Sequence, residues 1–173
     1  MSRPMCPDTE TALRRVTDCL ERAVRERDCP AIVALHGERA LVMSDYDYLR
    51  DEVTAAAFER RVSEKAREIH ARRFAFAVPQ VWLVGHDGVA GRAVANLPLR
   101  EGEQEVIAWM AYDADDGVDY GCVPYTRRPS GEPVFGDSIV ITDPVQPYDA
   151  YPGRILLRAL TQDPGVPPPG QRL

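Results

Sequence analysis

The hydrophobic period of this chain changes near Phe74, and that change limits what it can fold into. Before Phe74 there are two helical patterns around a short hairpin; after it the pattern is almost entirely that of strands. Leu13, Val16, Leu20, Ala23 and Val24 recur at helical spacing and form one apolar stripe. Pro7 and Asp8 supply a start signal, with Asp8 placed to cap the first turn, and Pro30 supplies a stop. Glu10/Arg14, Asp18/Arg22 and Glu21/Arg25 are opposite charges at i, i+4 on the outer face. Residues 31–36 and 39–44 are apolar runs about Gly37-Glu38, which predicts a tight hairpin.

The second helical pattern, residues 49–71, is internally inconsistent. Leu49, Val53, Ala56 and Ala57 point opposite to Ala55, Phe58, Val62, Ala66 and Ile69. This predicts a break near residues 55–57; the alternative is a continuous helix that buries different faces at its two ends.

From Phe74 onward, Phe74, Phe76 and Val78 alternate with Ala75 and Ala77, and residues 81–84 are all apolar. Pro79 has no donor for a sheet ladder, which implies a bulge or an edge. Further strands are predicted at 89–97, 105–112, 118–125, 134–142 and 154–160, with turns at Asp87-Gly88, Asp116-Gly117 and Ser130-Gly131. Residues 105–112 are apolar on both faces, as in a central strand covered on each side. The expected fold class is α+β: a twisted, mainly antiparallel sheet with two N-terminal helices packed on one face. One domain over residues 1–160 is expected, followed by a flexible, disordered Pro-rich tail over 161–173.

Composition bounds the partners. The formal net charge of −6 argues against a polyanion ligand, so no nucleic acid is expected. Lys65 is the single lysine among 21 basic residues, a bias that GC-rich coding explains better than recognition does. The first residues lack a signal-peptide pattern, and no apolar run approaches the ~20 residues that span a bilayer. The four cysteines form no C-x-x-C pair. Free thiols, no membrane and a cytoplasmic location are the expectations.

No phosphate-binding loop, dinucleotide fingerprint, zinc-protease helix or nucleophile elbow occurs. The acidic stretch 113–119 looks like a calcium loop, but its glycine falls one position early and Pro124 stands where a bidentate Glu is needed. His36, His70 and His86 have no metal-ligand spacing, so no metal and no cofactor is expected. Two candidate sites remain. On a regular second helix, Glu59, Ser63 and His70 share one flank, and together with His36 they define a candidate polar pocket. Tyr125, Arg127 and Arg128 combine an aromatic ring with cations and define a candidate interaction surface for an anion or partner. The expected function is a non-enzymatic module that binds a protein partner or forms a homo-oligomer. The alternative is a small-molecule-binding protein or enzyme with a polar cleft between the second helix and the sheet.

Overall fold

The computed structural model describes residues 4–86, 88–93, 98–142, 145–146 and 151–162. Its elements are α1 (Pro7–Arg25), β1 (Ala31–His36), β2 (Ala40–Asp45), α2 (Glu52–Glu68), β3 (Arg73–Gly85), β4 (Gly88–Ala93), β5 (Glu103–Asp113), β6 (Gly117–Arg127), β7 (Pro133–Phe135), β8 (Ile139–Ile141), β9 (Val145–Gln146) and α3 (Arg154–Thr161). The strands form one sheet in the order β2-β1-β3-β5-β6-β7. β4 adds to the far end of β3, β8 to β6, and the short β9 to β4. Every pairing is antiparallel except β4–β9. Mixed α+β is therefore the class, as the change of period indicates.

β3 is the spine. Its alternation supplies two apolar faces at once, aromatic on one side and alanine on the other. Phe74, Phe76 and Val78 join Val33, Leu35, Ala108 and Met110 in a core with Phe58, Val62 and Ala66 of α2 and Leu156 and Leu157 of α3. Ala75 and Ala77 join Ala34 and Ala111 as a shallow bed on which Leu13, Val16, Leu20 and Val24 of α1 lie. Each fully buried aliphatic side chain of this kind contributes roughly 1.5–3 kcal/mol. The expectation of two helices on one face is thus corrected: α1 covers one face, and α2 with α3 covers the other. On β3 itself the alanines face α1 and the phenylalanines face α2, while Trp109 and Tyr125 of the neighbouring strands β5 and β6 supply the bulk on the α1 side.

Pro79 falls where the missing donor does no harm. On that flank β3 pairs with β1 up to Ala77 and with β4 from Gln80, so Pro79 sits in the gap between two neighbours while Ile107 of β5 faces it across the other flank.

Several sequence expectations need correction. α2 is unbroken from Glu52 to Glu68, and the Asp51 carboxylate caps it by accepting from the Thr54 N–H at 2.7 Å. Its conflicting second apolar face is not part of the core: Val53 is 79% exposed, Ala56 and Ala57 are half-buried, and Leu49 lies before the helix. Residues 154–160, predicted as a strand, form α3, because Leu156, Leu157 and Leu160 make a helical stripe as readily as an extended run. The predicted strand 134–142 is two short ones, β7 and β8, each pairing with β6. The hairpin turn between β1 and β2 takes in residues 37–39, one more than the Gly37-Glu38 pair. The end of the predicted strand 89–97, Asp87 of its turn and most of the tail (163–173) lie outside the described residues. No helix among the described residues is long and apolar enough to cross a membrane.

Candidate functional site

Glu59 is the one predicted pocket residue that the fold turns into a centre. It projects from the middle of α2 toward the start of α3, and only 4% of it is exposed. α3 begins at Gly153, which has no side chain to cap the helix and adopts φ +92°. Glu59 supplies the cap from another element: its Oε1 accepts the N–H groups of Ile155 at 3.0 Å and Leu156 at 3.5 Å. Its Oε2 accepts the Tyr48 hydroxyl at 2.7 Å. Burial pushes the Glu59 carboxyl above its ordinary range even though Tyr48 and the backbone donors pull the other way. Burial, with the adjacent Glu59 charge, also raises the Tyr48 phenol. Gly153 cannot be replaced freely, since a Cβ there would stand 3.0 Å from Met110 Sδ.

Around this strut lies a cleft of about 780 Å³. Tyr48, Ala55, Ala56 and Glu59 form one wall, Gln80 and Gly91 to Ala93 the opposite one, and Val145, Tyr151 and Ile155 the end. Two features make the space: Ala55 and Ala56 keep α2 thin, and Gly91 leaves room beside the Gln80 amide. Gln80 Oε1 accepts the Trp82 indole N–H at 2.9 Å, which fixes the amide. Tyr151 is held by donating its hydroxyl to the Trp109 carbonyl at 2.9 Å. Arg60 stands at the rim and pairs with no carboxylate among the described residues.

The other predicted pocket residues do not converge here. Ser63 is buried and donates its hydroxyl to the Glu59 main-chain oxygen at 2.7 Å, so it serves the helix. His70 lies beyond the end of α2, eleven residues from Glu59 or about 16 Å along a helix axis. It adopts φ +52°, is exposed, and its Nδ1 sits 2.7 Å from Glu38 Oε1. The β1–β2 turn docks there, with the Glu38 N–H donating to the Ile69 carbonyl at 2.7 Å, so His70 belongs to the closure of a helix end. His36 ends β1, where burial and the nearby Arg73 and Arg15 charges lower its pKa and favour the neutral ring. Its main-chain oxygen accepts the Arg72 N–H at 2.8 Å.

The predicted interaction surface is also divided. Tyr125 is 2% exposed and belongs to the core beneath α1, its ring against Phe135. Arg127 lies over the Tyr125 ring at 5.6 Å and donates to Glu105 Oε2 at 2.9 Å, an ion pair that closes the edge of that core. Arg128 faces outward, 3.7 Å from Glu132.

Two further arrangements do not make sites. Cys6, Asp113 and Asp116 bring possible ligand atoms within 4.8 Å of one another. Asp113 is already engaged by Arg73 at 3.2 Å and by the N–H groups of Asp115 and Asp116, the bonding of an ion-paired turn. Burial pushes the Cys122 thiol up to about 11, which leaves it protonated and unreactive. Sequence reasoning missed Tyr48, Gln80, Tyr151 and the start of α3. Of these Gln80 carries a weak signal, a polar group set between Val78-Pro79 and Val81-Trp82, while Tyr48 follows the polar run Asp45-Tyr46-Asp47 and carries none. No family model, curated protein or solved structure matches the chain.

Proposed function

We propose that this chain is a binding protein for a small, mainly apolar molecule, held in the cleft between α2, α3 and the β3–β4 end of the sheet. The supporting observation is the cleft itself: about 780 Å³, with a mostly apolar exposed lining, the fixed Gln80 amide, and charged side chains of Arg50, Asp51, Glu52, Arg60 and Arg92 around it. Pockets of this size, apolar with a few placed polar groups, are where drug-sized ligands bind. Catalysis is not part of the proposal, because both Glu59 oxygens are occupied in capping α3 and holding Tyr48. Gln80 and Arg60 would meet the polar end of the ligand.

The fluorophore 1-anilinonaphthalene-8-sulfonate, an aromatic body with an anionic end, is the first probe. One-to-one binding is expected, and Ala56→Trp, which fills the cleft from α2, should abolish it without lowering the melting temperature. Binding that survives Ala56→Trp, or no saturable binding at all, overturns the proposal.

A second reading, a module that associates with protein or with itself, is favoured by the open edge of β2 and is argued below. Nucleic acid stays outside both readings. The basic end of α2 and the chain after it are largely neutralised at home, in Arg61–Asp45, Lys65–Glu68, Arg72–Asp115 and Arg73–Asp113.

A further inference from the structure

β2 ends the sheet. β1 lies on one flank, and no described strand lies on the other. Ala40, Val42 and Ser44 are exposed while Leu41, Met43 and Asp45 are half-buried, and Val42 is 51% exposed. The packing of α1 concentrates on β1, β3 and β5, which leaves open space over the Val42 side of β2.

The backbone of β2 alternates in the same way. The Gly37 N–H donates to the Arg39 carbonyl at 3.1 Å, which extends the β1–β2 register by one pair. Hydrogen bonds of an antiparallel ladder fall on every second pair. Leu41, Met43 and Asp45 therefore turn their backbone groups to β1, and Ala40, Val42 and Ser44 turn theirs to the open edge. Sheets ordinarily guard such an edge with lysine, proline or a bulge. Residues 40–45 read Ala-Leu-Val-Met-Ser-Asp, with no basic residue and no proline, and their register against β1 is unbroken.

We propose that two copies of this chain pair through β2, antiparallel and edge to edge, about a two-fold axis at Val42. Symmetry selects the register, because an isologous contact sets each residue opposite its mirror position. Centred on Val42, the pairing puts Val42 opposite Val42 and Ala40 opposite Ser44 of the second copy. All three outward residues then exchange backbone hydrogen bonds. Sliding one copy by two residues either way leaves one of them opposite a turn residue, Glu38 or Tyr46. The central register also places Arg39, which pairs with Glu68 of its own chain, opposite Asp45 of the second copy, which pairs with its own Arg61, so opposite charges meet at both ends of the seam. The two sheets run on as one, with Val42 meeting Val42 on the face that α1 leaves open.

Sedimentation equilibrium on the full chain is expected to show a dimer. Val42→Lys sets like charges face to face on the axis and should raise the dimer dissociation constant at least tenfold, with circular dichroism and melting of the monomer unchanged. Val42→Cys should cross-link into a disulfide dimer under mild oxidation, while Val140→Cys, equally exposed on β8, should not. A chain that stays monomeric, a dimer indifferent to Val42→Lys, or a Val42→Cys chain that fails to cross-link overturns the pairing. None of these outcomes bears on the cleft, whose test is separate.

Discussion

Glu59 joins three pieces of chain: the turn after β2, the middle of α2 and, far along the sequence, the start of α3. Glu59→Ala removes the acceptor for the Tyr48 hydroxyl and two helix N–H groups at a buried position. A loss of about 2–4 kcal/mol in urea unfolding is expected. Glu59→Gln keeps an acceptor for α3 and should cost much less at neutral pH. The two proteins should also differ in pH dependence. The folded carboxyl titrates above its unfolded value of 4.5, so the native state binds the proton more tightly than the unfolded chain. The stabilisation from the protonated group is complete below 4.5 and is lost as pH rises through the folded value. Unfolding measured from about pH 4 to about pH 8 should show wild type losing stability relative to Glu59→Gln, and a flat difference would refute this assignment. Glu59 stood out in the sequence as a carboxylate beside an apolar stripe, but its partners did not. Ile155 lies 96 residues away, with strands β3 to β9 between the two in the chain.

At the scale of elements, local pattern decided well where one period dominated and poorly where two fitted. α1 and β3 were legible because their apolar spacing admits a single geometry. α3 was not, since a short run of leucines suits a strand or a helix, and a cap from Glu59 with a glycine at φ +92° settles it. Gly153→Ala should therefore destabilise α3 in particular, by strain and by contact with Met110. The expected signature is a loss of helical circular dichroism together with a lower melting temperature. The β3–β4 end is held differently, by Arg92 of β4 reaching across β3 to Glu103 of β5 through bonds of 2.7 and 2.9 Å. Those bonds and the Arg100 N–H hold the Glu103 carboxyl down at about 2. Here the sign is opposite to that of Glu59: the contribution is present above 4.5 and is lost as pH falls toward about 2. A carbon-detected NMR titration should find Glu103 still ionised at pH 3, and Arg92→Gln should move its midpoint up.

Across the whole molecule, protection should follow the layers. β3 and β5 are buried on both faces along most of their length. Their amides should exchange slowest with solvent, near the global unfolding rate, while those of β4, β8 and β9 exchange first. The two-sided burial was visible in the sequence at residues 105–112, and it conflicts with placing both N-terminal helices on one face. Alternation within a strand reports how many faces are apolar, but not which helix covers which. That assignment depends on contacts between elements far apart in sequence, which local pattern does not reach.

The placement of the tryptophans has a practical consequence. The chain has two, and the sheet separates them. Trp109 belongs to the α1 side and donates its indole N–H to Ser138 Oγ at 3.0 Å, while Trp82 belongs to the α2 side and is tied to Gln80 at the cleft wall. Each indole is thus a native optical probe for one layer. Emission from a Trp109→Phe protein should respond to cleft occupancy, and emission from a Trp82→Phe protein should report only the seating of α1. The order in which the two layers come apart can then be followed without attaching a label.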